Sequence, residues 1–212
     1  MPLWDISPTL HAGSPAFPGD TPYRLSWRWT IGEQCPVNVG ELNMSPHIGA
    51  HADAPLHYQA GGTPVGALAL EPFLGHCRVI HAMDCGPLIT IDHLAGHAAN
   101  LPPRVLVRTA KHADVDHWID DFAALAPATI AWLAARGVTL IGIDTPSIDP
   151  ATSKTLDSHH AILAHDMRVL ENLVLDDVPE GDYELIALPL KLADADASPV
   201  RAVLRPLVHT GQ

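Results

Sequence analysis

Three short apolar runs, CRVIHAM at 77–83, RVLVRT at 104–109 and VTLIGID at 138–144, constrain the fold more than any other feature of the chain. Runs of this length and composition read as strands buried within a sheet. Between and after them lie two helical patterns. The first, 122–136, ends at Gly137. The second follows Asp157 and Ser158, whose side-chain oxygens can accept from free first-turn amides, and runs through HHAILAHDMR at 159–168. ELIALPLKL at 184–192 reads as a further strand. Ten of the 20 prolines fall in the first 75 positions, where turns separate two more β-favouring runs, 23–31 and 37–44. No repeat, low-complexity tract or linker divides the chain, so a single α/β domain over 1–212 is expected.

At 212 residues, with 47% hydrophobic and 17% charged residues, the chain is able to fill a core. Its formal net charge of −12 argues against nucleic acid or an anionic membrane surface as partner. Cys35, Cys77 and Cys85 form no CxxC pair and are odd in number, as expected of reduced thiols in a cytoplasmic protein. The N-terminal MPLWDISPTLHAG has no leader pattern, and no segment approaches the roughly 20 apolar residues of a bilayer span.

HIGAHADAPLH at 47–57 carries three histidines and an aspartate on a backbone of small residues. His47, His51, Asp53 and His57 cannot converge on a straight helix, where the pairs His47/His51 and Asp53/His57 would point to nearly opposite sides. On an extended chain they would share one face, but spread over about 33 Å. Donors around one ion must come within bond lengths near 2 Å of it, so the segment has to curl. Gly49 relaxes the backbone, Ala50, Ala52 and Ala54 are small, and Pro55 holds Ala54 extended. Imidazole and carboxylate together suit Zn²⁺ or a similar divalent ion with a position left for water. With 14 histidines in the chain, chance groupings also arise. His93 and His97 in IDHLAGH, and His112, Asp114, Asp116 and His117 in KHADVDH, read as solvated or as satisfied by ordinary hydrogen bonds.

The stretch resembles the HxGTHxDxPxH signature of the metal-dependent cyclase-like hydrolases. Further matches lie along the whole chain: WDISPTL at 4–10, PGDTP at 18–22, GIDTPSID at 142–149, SHH at 158–160, EN at 171–172 and PLKLADADASPVR at 189–201. Together they resemble the kynurenine formamidase branch of that family. The resemblance implies a barrel-like mixed sheet with flanking helices, of the swivelling β/β/α type. It implies hydrolysis of N-formyl-L-kynurenine, a step of tryptophan degradation, by a homodimer. It also implies two Zn²⁺ ions per subunit, the first held by His47, His51 and a bridging Asp53, the second by His159, with Glu171 touching both. SHH aligns His159, rather than His160, with the family's ligand.

His57 is implied to be the proton donor and acceptor, a role suited to imidazole, whose ordinary pKa lies near neutrality; the residues alone also allow it as a fourth ligand. Phe17 matches the family's ring-contacting position, with core packing as the plain alternative. Trp4, Trp27 and Trp29 could line a pocket, but large aromatics are usually explained by burial alone, and Asp144 and Ser147 are supporting candidates that could serve only to hold their loop. Ala50 stands where the signature has threonine, and Ala193 and Ala197 where glycines are frequent; neither change removes a ligand. No GxSxG, HExxH, GxxxxGK[ST] or GxGxxG occurs, which disfavours a serine formamidase. The competing expectations are a related hydrolase of a cyclic amide or ester such as isatin, and a non-catalytic metal- or ligand-binding protein.

Overall fold

All three apolar runs form neighbouring strands in the computed structural model, which describes residues 2–207; the extreme ends of the 1–212 expectation lie outside the described residues. In chain order the strands are β1 (Trp4–Asp5), β2 (Arg24–Trp29), β3 (Val39–Asn43), β4 (His51–Asp53), β5 (Leu74–His81), β6 (Leu88–Ile89), β7 (Arg104–Arg108), β8 (Ala124–Leu125), β9 (Leu140–Ile143), β10 (Arg168–Glu171), β11 (Gly181–Ile186), β12 (Ala197–Pro199) and β13 (Val203–Pro206). The helices are α1 (Pro55–Tyr58), α2 (Ile91–Leu94), α3 (Pro127–Ala134) and α4 (Asp157–Ala164). Nine strands share one sheet in the order β1-β13-β11-β5-β7-β9-β10-β4-β12. Its centre, β5 to β10, is parallel, and the flanking pairs are antiparallel.

This sheet cannot be flat. Residues 200–202 alone join β12 to β13, a reach of at most about 15 Å. Yet the two strands stand seven places apart in the order, about 34 Å at ordinary strand spacing. The sheet must curl until its edges approach, and the short link is bonded to both of them. Val200 N donates to Ala50 O at 2.9 Å beside β4, and Ala202 O accepts from Ile6 N at 3.0 Å beside β1. A barrel-like mixed sheet is the result.

The period-two alternation of the central strands divides the apolar residues between two cores. Leu106, Leu140 and Leu170 join Ile6, Phe73 and Leu204 in one of them. Val105, Val107, Ile141, Ile143 and Val169 meet Ile130 and Leu133 of α3 and Ile162 of α4 in the other. Gly142 permits the first core to close: a Cβ there would stand 2.5 Å from Leu106 Cδ2 and 2.7 Å from Leu173 Cδ1.

Three expected elements are shorter than the sequence implies. The 122–136 helix begins only at Pro127, because residues 124–125 pair with β6 and proline holds its predecessor out of helical geometry. The 159–168 helix spans Asp157–Ala164; Asp166 turns left-handed, with φ 50°, and Arg168 opens β10. The strand expected at 184–192 stops at Ile186, ahead of Pro189, which has no N–H for a ladder. The hairpin β2–β3 stands apart from the main sheet, with every residue exposed. No helix among the described residues is long and apolar enough to cross a membrane.

Candidate metal centre and active-site pocket

Strand periodicity places His51 and Asp53 on one face of β4, which is buried at every position. β10 sets Glu171 directly opposite His51, and β12 pairs along the other side. The outer histidines return because the segment curls at both ends. Gly49 takes φ 67°, and a Cβ there would meet Leu10 Cδ2 at 2.5 Å. Pro55 opens α1 immediately after β4. His47 and His57 consequently lie with ring centroids 4.3 Å apart.

The cluster is tight. Asp53 Oδ1 is 3.0 Å from His47 Nδ1 and 3.3 Å from His51 Nε2, while Asp53 Oδ2 is 3.1 Å from His159 Nε2. Glu171 reaches both sides, with Oε2 3.3 Å from His51 Nε2 and Oε1 3.5 Å from His159 Nε2. Glu171 Oε1 also accepts from Ile148 N at 2.8 Å. His159 comes from α4, whose cap differs from the expected one. Leu156 precedes the helix in left-handed geometry, and Asp149 accepts from Ser158 N and His159 N, both at 3.0 Å. Asp157 and Ser158 are the first residues of the helix, so their oxygens do not cap it. Asp149 also lies 2.7 Å from His159 Nδ1, fixing the ring as well as the backbone that carries it. His160, one residue on, is exposed.

The donors suit a cation. His51 Nδ1–H donates to Gly49 O at 2.8 Å, which leaves Nε2 of the neutral ring with a lone pair. That lone pair faces two carboxylates, and His51 Nε2 and Asp53 Oδ1 are both buried without a hydrogen-bond partner among the described residues. Buried lone pairs facing one another repel unless a proton or a metal ion stands between them. Without a metal, protons take that place. Burial by itself lowers the His51 pKa, but Asp53 and Glu171 outweigh it and push it up to about 10. Burial likewise opposes protonation of His159, and Asp149 and Asp53 raise it to about 10. Burial raises Asp53, whereas His51, His159 and His47 hold its carboxyl well below the usual range.

The cluster opens on a pocket of about 340 Å³, within the range of small-molecule sites. Phe17, Trp118 and Phe122 give it an aromatic side, with Phe17 edge-on to Trp118 at 5.2 Å. Phe17 is 56% exposed, which removes core packing as its explanation. His47, His51, His57, His159 and Glu171 all line this pocket, together with Asp20, Asp114, His117 and Lys154. Asp114 and His117 are exposed and hydrogen-bonded to each other, as the sequence implied, with His117 Nδ1 3.0 Å from Asp114 Oδ1, although both also line the pocket. His93 likewise has an ordinary local role, capping α2 by accepting from Thr90 N. Asp144 accepts from Thr109 N, Thr109 Oγ1 and Ala110 N, and so holds its loop. Trp4 packs on Tyr183, whereas Trp27 and Trp29, expected to be explained by burial, lie instead on the exposed hairpin.

Four neighbours of the site escaped the residue-level reading. Asp149 lies within GIDTPSID and Asp196 within PLKLADADASPVR, so only the resemblance marked their segments. Tyr58, whose ring stacks near His159 at 5.1 Å, and Trp118 carried no signal beyond being aromatic.

Residues 4–150 match the family described as "Putative cyclase". The kynurenine formamidase of Bordetella pertussis is 74% identical over 205 residues, covering 97% of this chain and 98% of that protein. The kynurenine formamidase of Bordetella petrii is 72% identical with the same coverage. A solved structure described as a potential metal-dependent hydrolase with cyclase activity superposes with a TM-score of 0.82 at 27% identity, covering 96% of each chain. From the barrel-like sheet, the histidine–carboxylate cluster and these likenesses together, the chain belongs to the cyclase family of metal-dependent hydrolases, in the branch of the kynurenine formamidases.

Proposed function

We propose that this chain hydrolyses N-formyl-L-kynurenine to L-kynurenine and formate, a step of tryptophan breakdown, with metal-activated water. The observation that carries the reading is the pair of unpartnered buried atoms, His51 Nε2 and Asp53 Oδ1, set beside His57 where an aromatic-walled pocket opens. Two Zn²⁺ ions suit the donors. His47, His51 and Asp53 would hold the first, and His159 the second, with Glu171 touching both. Asp53 turns one oxygen to His47 and His51 and the other to His159, the division a bridging carboxylate needs. Zinc, when bound, supplies Lewis acidity that brings water towards a pKa of about 7 and polarises a carbonyl.

The chain's own residues do the rest. His57, at the pocket and beside the cluster, takes the proton of the attacking water and returns it to the aniline nitrogen as the C–N bond breaks. The aromatic side of the pocket suits the substrate ring. Lys154 and the carboxylates Asp20 and Asp114 suit the two charges of its amino-acid end, which isatin lacks.

A homodimer accords with the hairpin β2–β3, where Leu25, Trp27, Trp29 and Leu42 are each about half exposed or more. An isolated two-stranded hairpin is marginal, and an exposed apolar patch of this kind marks an association surface. The free thiols of Cys35, Cys77 and Cys85 accord with a reducing compartment such as the cytoplasm.

The test is formate release from N-formyl-L-kynurenine, measured with and without chelator, after Zn²⁺ is restored, and with isatin as competitor. Chelator-sensitive release, restored by Zn²⁺, is expected. No release, or faster turnover of isatin, overturns the proposal.

A further inference from the structure

One carboxylate of the site has no part in the chemistry above. Asp196 Oδ2 lies 3.0 Å from His47 Nε2 and 3.2 Å from His57 Nδ1. Resting on the hydrolase reading, we propose that Asp196 is a positioning residue whose single oxygen serves a metal ligand and the proton carrier together, and so couples metal loading to the readiness of His57.

The backbone puts it there. Ala54 N donates to Asp196 O at 2.9 Å, and Ala197 opens β12 in register with Asp53. Asp196 is therefore anchored to the same strand that carries His51 and Asp53, although its side chain remains partly open to solvent.

The tautomers supply the reason for one shared oxygen. A neutral imidazole carries one N–H and one lone pair. For His47 to turn a lone pair from Nδ1 towards a cation beside Asp53 Oδ1, its proton must sit on Nε2, where Asp196 accepts it. For His57 to use Nε2 on the reacting groups, its proton must sit on Nδ1, and Asp196 accepts that one also. Carboxylate Oδ2 has lone pairs for both, and charge-assisted bonds of this kind are about twice as strong as neutral ones. The other ligand rings have private partners: His51 Nδ1–H goes to Gly49 O, and His159 Nδ1 to Asp149. Only His47 shares its partner with the proton carrier. A competing possibility is that Asp196 is itself a ligand, since His47, His57 and Asp196 also form a three-donor group.

The experiment measures Zn²⁺ affinity by competition with a chromogenic chelator, and kcat and KM at saturating Zn²⁺. The proteins are the wild type, Asp196→Ala and Asp196→Asn, with Asp196→Ala repeated in a His57→Ala background. Asp196→Ala is expected to weaken Zn²⁺ binding about 10- to 100-fold. At saturating Zn²⁺ its kcat should still be about a hundredfold low, with KM within about threefold. Asp196→Asn, which keeps an acceptor oxygen without the charge, should recover part of both losses. In the His57→Ala background the kcat loss should vanish while the affinity loss persists.

Full recovery of kcat at saturating Zn²⁺, or equal kcat losses in both backgrounds, overturns the coupling. Metal binding that no Zn²⁺ concentration restores makes Asp196 a ligand and also overturns it. An active wild type matched by Asp196→Ala in affinity and kcat defeats this proposal and leaves the hydrolase reading intact. An inactive wild type defeats the hydrolase reading, and the His57 half of this proposal with it.

Discussion

Replacing Asp149 by alanine removes three interactions at once from a residue only 2% exposed. Its carboxylate accepts from Ser158 N and His159 N, both at 3.0 Å, and lies 2.7 Å from His159 Nδ1. The two backbone bonds are the N-terminal cap of α4, and loss of such a cap costs about 1 kcal/mol. The bond to the ring involves a charged group, worth about 1.5–3 kcal/mol. A combined loss of about 3 kcal/mol lowers Tm by roughly 6–12 °C in a chain of this size. Loss of the partner of His159 should also weaken metal binding about 10- to 100-fold. Calorimetry of the metal-free protein measures the first effect without reference to catalysis, and chelator competition measures the second. A Tm within about 2 °C of wild type would refute the cap as the organiser of α4, the magnitude being far below the sum of the parts. Unchanged Zn²⁺ affinity would refute the role of Asp149 towards the ligand ring.

Asp53→Asn should deplete bound metal, because the amide lacks the charge that three imidazoles surround; full occupancy by metal analysis counts against a bridging Asp53. Metal uptake should strengthen as pH rises, since His51 and His159, both pushed up to about 10, must release protons to bind it. In the metal-free protein the sign reverses: these raised pKa values stabilise the fold fully below the ordinary imidazole range, and the benefit is lost as pH climbs towards 10. A Zn²⁺ affinity that does not change between about pH 6 and 9 contradicts the proton competition. Lys154→Ala should raise KM for N-formyl-L-kynurenine about tenfold, the scale of one charge-assisted bond, and leave KM for formanilide, which has no amino-acid end, unchanged. Equal shifts for both substrates would remove Lys154 from recognition. Trp27→Ser with Trp29→Ser should convert a dimer to monomer in sedimentation runs, and an unchanged mass places the subunit contact elsewhere.

Local pattern determined more of this protein than its low helix content would lead one to expect. Apolar runs too short for helices at 77–83, 104–109 and 138–144 marked the central strands, observed as Leu74–His81, Arg104–Arg108 and Leu140–Ile143, because burial within a sheet favours nearly continuous apolar residues. The spacing of His47, His51, Asp53 and His57 excluded a helix and required a curl, since bond lengths to an ion are incompatible with an extended chain. The candidate ligands His159 and Glu171 came from resemblance, as nothing in their spacing pointed to the motif. Tertiary structure alone decided what lies across long separations. Asp53 meets His159 over 106 positions and His57 meets Asp196 over 139, and no local period records either pairing. It also decided the curl of the sheet, which follows from joining two distant strands through residues 200–202, and the presence of Trp118 and Phe122 in the pocket lining. A single residue's neighbours in sequence fix its backbone preferences and its face. Which distant carboxylate completes a ring nitrogen is settled only when the strands that carry them are brought side by side.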